Sequence, residues 1–294
     1  MSLSDRSNPS SQPEEPLGLS PPKKRIDPRR FYTAFAVIPL LYGGIAYSPP
    51  WLFSVFVGMT VLLALWEFLS MYFGNPRLGI SHFLCFFSAA GILLLMHGNV
   101  TPPLLAVALG LTLVILAGFF LNHHKMRQWM PKWMGYIFGI FYVALLFGYF
   151  IQIRQLPQGI TMVFFVLIVT WLSDTGGFVF GLTFGRHPLA PVLSPKKTIE
   201  GFLGGILFSL IGAILCHLWF FSVMSLPHSA ILGILLAICG TLGDLTESAI
   251  KRSVQVKDSG TLIPGHGGVL DRIDSLLLSA PAFYYYALFI GLGS

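Results

Sequence analysis

From residue 31 onward the chain alternates long apolar runs with short polar connections, and within the runs the side chains do not alternate in polarity from one residue to the next. Nine runs reach the ~18 residues needed to cross a hydrocarbon core of about 30 Å. They cover 31–48, 51–73, 80–97, 103–122, 134–153, 159–181, 202–222, 229–250 and 274–292. Barrel strands would show alternating segments of about ten residues; continuous runs of this length predict helices that satisfy their own backbone groups. The predicted fold class is therefore all-α: a polytopic integral membrane protein with about nine transmembrane helices.

Composition agrees. Of the 294 residues 54% are hydrophobic and only 10% charged, with mean hydropathy +0.74, against roughly 25% charged in an average soluble domain. Charge then orients the helices. With the N-terminus in the cytoplasm and nine alternating spans, every basic residue except Arg154 falls in the tail or in a connection on the inner side, as the bias of Lys and Arg toward cytoplasmic loops requires. A span count wrong by one would scatter the later charges onto both faces. The net charge of +6 is thus mainly a topology signal, although basic loops also suit a surface facing anionic headgroups.

Residues 1–30, rich in Ser, Pro and charge, are expected to form a disordered cytoplasmic tail. The first apolar run begins too far in for a cleaved signal and lacks a small-residue cleavage pattern. Cys85, Cys216 and Cys239 all fall inside spans and read as small apolar packing residues. The Asn-Val-Thr at Asn99 is too short a match to carry a conclusion, and no internal repeat stands out.

Acidic residues change the picture most. Outside the tail they are Glu67, Asp174, Glu200, Asp244, Glu247, Asp258, Asp271 and Asp274. A charge at mid-bilayer costs about 2.5–3.5 kcal/mol on insertion scales, so each such acid is a functional candidate. The eighth span ends GTLGDLTESAIKR, where Asp244, Glu247, Ser248 and Lys251 follow i, i+3, i+4, i+7 and share one helix face. Mutual neutralisation at a helix end would explain part of this. It would not explain the further acids in the next connection.

The sixth span closes with Asp174 followed by Gly176, Gly177 and Gly181; such glycines let helices approach closely in lipid, which leaves Asp174 unexplained. The loop after it supplies Arg186, Ser194, Lys196, Lys197, Thr198 and Glu200. Adjacent lysines beside hydroxyls suit a polyphosphate, and are also what topology alone would place in an inner loop. Carboxylates from separate segments are the hard oxygen ligands that Mg²⁺ takes while leaving positions for substrate phosphates, and glycine-rich backbone supplies further phosphate donors. His266, between glycines, could donate to a phosphate or cap a turn.

The segment SAIKRSVQVKDSGTLIPGHGGVLDRIDS, 248–275, resembles the signature of the CDP-diacylglycerol synthases, or phosphatidate cytidylyltransferases. The matching positions are Ser248, Lys251, Arg252, Lys257, Asp258, Pro264, His266, Gly267, Gly268, Asp271, Arg272 and Asp274. A second block of that family, Ser-Pro-Lys-Lys-Thr-x-Glu-Gly after an Asp-bearing glycine-rich helix, matches Ser194 to Gly201 after Asp174. The likeness extends over roughly 30–294. Gly176 to Phe178, where many members carry Gly-Ala-Tyr, is a departure.

The resemblance implies that phosphatidic acid attacks the α-phosphorus of CTP, giving CDP-diacylglycerol and pyrophosphate, with Mg²⁺ required. It implies Asp244 and Asp271 as metal ligands with Asp174 and Glu247 close behind. Lys251, Arg252 and His266 join Asp244 and Asp271 as catalytic candidates. Ser194, Lys196, Lys197, Thr198, Glu200, Lys257, Asp258, Gly267, Gly268, Arg272 and Asp274 become substrate-binding candidates. A homodimer is implied in the same way, and the expected location is the cytoplasmic membrane of a bacterium, with the site facing the cytoplasm where CTP is available. Two alternatives stay open: a sister cytidylyltransferase acting on an isoprenoid ether-lipid phosphate, and a cation-coupled transporter, whose carboxylates would sit nearer mid-membrane.

Overall fold

The computed structural model describes residues 39–74, 79–98, 110, 118, 126–260, 262 and 267–292. The predicted tail, most of the predicted span 103–122, Pro264 and His266 lie outside them. The described residues form helices with one small hairpin. In chain order they are α1 (Pro50–Phe73), α2 (Ile80–Gly98), α3 (Met126–Gly139), a π-helical turn (Ile140–Leu145), α4 (Leu146–Gln155), α5 (Gly159–Phe184), β1 (Pro188–Ala190), β2 (Ser194–Thr198), α6 (Ile199–Trp219), α7 (Leu226–Ser253) and α8 (Leu270–Phe289). Residues 39–46 are also helical.

Six helical stretches among the described residues are long and apolar enough to cross a membrane: α1, α2, the continuous rod Pro131–Gln155, α5, α6 and α7. Helix α8 has 20 residues but opens on Asp271, Arg272 and Asp274 and is not among the six. The bundle's outer surface carries large apolar side chains; Phe83, Leu182 and Leu218 are each more than 70% exposed. Such a surface belongs in hydrocarbon, since water-facing proteins do not sustain apolar patches of that extent. The chain is a polytopic membrane protein.

Observed helix limits follow the apolar runs to within a few residues, with a consistent difference at the polar ends. Helix α6 starts at Ile199, so that Glu200 lies in its first turn; α7 runs on through Lys251 and Arg252; and α8 begins before Asp271. Hydropathy marks where a helix meets lipid, whereas the helix itself continues as long as its polar side chains find partners. The connection 185–198, expected to be irregular, instead folds as an antiparallel hairpin pairing Pro188 with Thr198 and Ala190 with Ser194. Thr198 leaves the hairpin in extended conformation and caps α6, its Oγ1 accepting from Gly201 N at 3.1 Å.

Close helix approach does the positioning. On α5 and α6 the glycines interleave: a Cβ on Gly201 would strike the carbonyl of Gly177, and one on Gly204 would strike Phe180. On α7, a Cβ at Gly243 would collide with the carbonyl oxygen of Asp274 on α8. Phe165, Phe221 and Phe283 are fully buried, and the rings of Phe165 and Phe221 stack at 4.2 Å behind this four-helix half.

Candidate active site

The carboxyl end of α5, the hairpin, the amino end of α6, the carboxyl end of α7 and the amino end of α8 surround a cleft of about 550 Å³. Its polar lining includes Asp174, Lys196, Lys197, Thr198, Asp244, Asp271 and Asp274, and its apolar wall includes Phe178, Leu182, Leu189 and Phe202. Seven of the candidates named from sequence thus come from three distant segments to one cavity.

At its centre, ligand atoms of Asp244, Glu247 and Asp274 lie within 4.8 Å of one another. The i, i+3 spacing on α7 explains the first two, and the glycine contact at Gly243 brings Asp274 up to them. Two carboxylate charges within 4.8 Å of each other repel by roughly 3.5 kcal/mol or more at an effective dielectric near 20, so the trio needs a counter-charge. Glu247 is fully buried and its Oε1 has no hydrogen-bond partner. A buried carboxylate oxygen without a donor fits a cation ligand, as does the all-oxygen composition of the group.

Lysines supply part of the compensation. Lys197 Nζ lies 2.6 Å from Asp244 Oδ2. Lys251 Nζ bridges Glu247 Oε2 at 2.6 Å and Asp271 Oδ1 at 2.7 Å. Asp271 lines the cleft while its Oδ2 accepts from the backbone N–H groups of Ser259 and Gly268, both at 3.1 Å. The carboxylate of Asp174 accepts from Ser275 Oγ at 3.2 Å, and Ser248 Oγ donates to Asp244 at 3.4 Å. From the π-helical turn, a geometry that recurs near functional sites, Tyr142 Oη donates to the carbonyl of Gly243 at 3.4 Å.

Other candidates stand apart from the lining. Glu200 locks the hairpin, accepting from the backbone of Arg186 at 3.0 Å and His187 at 3.2 Å and pairing with the His187 ring. Arg252 is exposed and donates to the carbonyl of Val256 at 3.1 Å, closing the end of α7. Lys257, Asp258 and Arg272 are exposed, and Ser194 opens strand β2. Gly267 has φ +85°, a left-handed conformation that other residues adopt at a cost. The sequence paired Asp271 with Asp244 as ligands. In the structure Asp274 stands with Asp244 and Glu247, and Asp271 joins them through Lys251.

Spacing in the sequence did not connect Glu67 to this region. It is 2% exposed on α1, and its Oε2 accepts from Leu270 N at 2.9 Å and faces Ser259 Oγ at 3.5 Å. The one available signal was a carboxylate inside an apolar run; its partner lies 203 residues away. Ser259 and Ser275, which hold Asp271 and Asp174, are likewise visible only in three dimensions.

A helical membrane protein with carboxylates and lysines gathered around a cleft that also has apolar lining carries the groups to hold a cation and anionic oxygens beside an apolar chain. The chain belongs to the cytidylyltransferase family, whose model matches residues 28–290. It is 38% identical over 236 residues to the phosphatidate cytidylyltransferase of Bacillus subtilis, covering 78% of this chain and 77% of that protein. To the protein of the same name from Staphylococcus aureus it is 33% identical over 251 residues, 82% of this chain and 90% of the relative. The Staphylococcus saprophyticus protein is 43% identical over a shorter 145 residues, 49% of this chain and 55% of the relative.

Proposed function

We propose that this chain is a CTP:phosphatidate cytidylyltransferase. A phosphate oxygen of phosphatidic acid attacks the α-phosphorus of CTP, the bond from that phosphorus to the bridging oxygen breaks, and pyrophosphate leaves as CDP-diacylglycerol forms. The observation that carries this reading is the meeting of the two motif halves, Lys197 of the hairpin on Asp244 of α7, within one cleft that has a polar floor and an apolar wall.

The nucleophile is already ionised at neutral pH, so the protein has no need of a strong general base. Its task is positioning and charge neutralisation. Lys196 and Lys197 face the cleft and neutralise phosphate oxygens; Lys251 orients Glu247 and Asp271; Thr198 and the glycine-rich backbone offer hydrogen bonds. Exposed Arg252, Lys257 and Arg272, together with His266, complete the phosphate-binding set that the family resemblance implies. Carboxylates of Asp244, Glu247 and Asp274, with Asp271 and Asp174 beside them, would hold Mg²⁺, which when bound screens the triphosphate and the departing pyrophosphate. The apolar wall of Phe178, Leu182, Leu189 and Phe202 receives the lipid from the side.

The cleft opens to the cytoplasm, with the N-terminus on the same side and nine spans in all, because this arrangement alone gathers the basic connections on the inner face. The enzyme would reside in a bacterial cytoplasmic membrane as a homodimer. The deciding experiment is conversion of labelled CTP by the purified protein with Mg²⁺, offered either phosphatidic acid or an isoprenoid ether-lipid phosphate. CDP-diacylglycerol as the preferred product is expected; preference for the ether lipid, or no CTP consumption, would refute the assignment.

A further inference from the structure

Glu67 is a carboxylate that the bundle buries without a cation: no ion pair to it is formed among the described residues, and its Oε1 is buried with no hydrogen-bond partner. Burying such a group is costly, and nothing in the packing of α1 calls for it, since the neighbouring positions Ala64, Leu65, Phe68 and Leu69 are buried apolar side chains. What it touches is the far end of the chain. Val269, the residue preceding α8, offers no side-chain cap. The first free N–H of that helix, Leu270 N, donates instead to Glu67 at 2.9 Å, where a negative charge also complements the helix dipole.

Two glycines of the signature segment close over the same carboxylate. A Cβ at Gly260 would lie 2.6 Å from Glu67 Oε1, and one at Gly268 would lie 2.6 Å from Oε2. Ser259 is gripped from both sides: its N–H donates to Asp271 at 3.1 Å, and its hydroxyl faces Glu67 at 3.5 Å. Gly268 likewise gives its N–H to Asp271 while resting on Glu67. The backbone that orients Asp271, and through it Lys251, is therefore seated on a carboxylate from a helix that contributes nothing to the cleft lining.

We infer that Glu67 is a positioning residue for the transfer reaction, holding residues 259–260 and 268–270 so that Asp271 and Lys251 keep their place in the cleft. This rests on the function proposed above. Supporting residues of this kind typically change activity by roughly 10- to 100-fold when removed.

The test compares wild type, Glu67→Gln and Glu67→Ala as full-length purified protein. Turnover is measured against CTP and Mg²⁺, and backbone hydrogen exchange is followed by mass spectrometry. Glu67→Ala is expected to lower kcat by about 10- to 100-fold and raise the half-saturating Mg²⁺ concentration, with faster exchange confined to 259–270. Glu67→Gln should lose less, because its amide oxygen still accepts from Leu270. Both variants keeping kcat within about twofold would overturn the inference, as would faster exchange spread equally through α5 and α6. Should Glu67→Ala fail to fold, Glu67→Gln and Ser259→Ala decide on the same readouts. A wild type without turnover would sink the proposed function; the exchange comparison would still judge the contact.

Discussion

Lys197 Nζ sits 2.6 Å from Asp244 Oδ2, joining a hairpin to a helix end 47 positions further along the chain. Both side chains are partly open to the cleft, at 25% and 34% exposure, so the pair contributes at most about 1 kcal/mol to stability. Its consequence should be catalytic. Lys197→Ala is expected to leave thermal unfolding in detergent nearly unchanged while kcat/KM for CTP drops about 100-fold, as loss of one preorganised charge contact implies. Lys197→Arg should recover only part, since the guanidinium fork replaces a compact point charge.

Asp271 gives a sharper case. Asp271→Asn keeps the shape and the acceptor for Ser259 N but removes the charge opposite Lys251. Turnover should fall by at least about 1,000-fold, as for an essential charge in the transition state, with the protein still monodisperse and folded. Near-normal turnover would remove Asp271 from the catalytic group.

Cation dependence follows from the trio Asp244, Glu247 and Asp274. Chelation with EDTA should abolish activity, and added Mg²⁺ should restore it. Asp274→Asn should raise the Mg²⁺ concentration needed for half activity, because it turns one of three carboxylates whose ligand atoms lie within 4.8 Å of each other into a neutral amide, a weaker ligand. An unshifted Mg²⁺ curve in that variant would exclude Asp274 as a ligand.

Backbone approach sets the trio. Gly243→Ala places a methyl group against the carbonyl of Asp274 and within 3.3 Å of Ser275 Cα. Overpacking of this kind costs about 1–3 kcal/mol. The variant should unfold at lower temperature and lose activity beyond that loss of stability, because α8 must move away carrying Asp271 and Asp274. A thermal scan and a turnover assay on the same sample separate the two effects.

The facing of the cleft is open to a direct test. Val192 stands at the tip of the hairpin, 85% exposed; of the three native cysteines Cys85 and Cys216 are buried and Cys239 is half-buried within α7, so the parent chain is the labelling control. Val192→Cys in a bacterial host should react with a membrane-impermeant thiol reagent only after the cells are broken open. Labelling in intact cells would reverse the orientation.

How much of this was legible beforehand differs from residue to residue. The helices α1, α2, α5, α6 and α7 are present in the apolar runs because lipid tolerates nothing else at that length. The face shared by Asp244, Glu247 and Lys251 was also legible, since helical spacing alone creates it. The hairpin at 188–198 was not: its strands are only three and five residues long, and Glu200, which holds it through backbone N–H groups, looked like one more candidate for the substrate.

By itself, then, the sequence determined that the chain lives in a membrane and where its long apolar helices lie, and the likeness of two polar blocks pointed to its family. Local periodicity and composition suffice for the membrane and the helices, because helix formation and burial in lipid are decided residue by residue along one axis; the family came from matching the blocks themselves. The tertiary structure alone decided which carboxylates share a centre, that Asp271 is tied to Lys251, and that Glu67 reaches across 203 positions to seat the segment behind them. Those relations depend on how closely the backbone is approached at Gly243 and Gly268, and a distance between segments leaves no period in the chain.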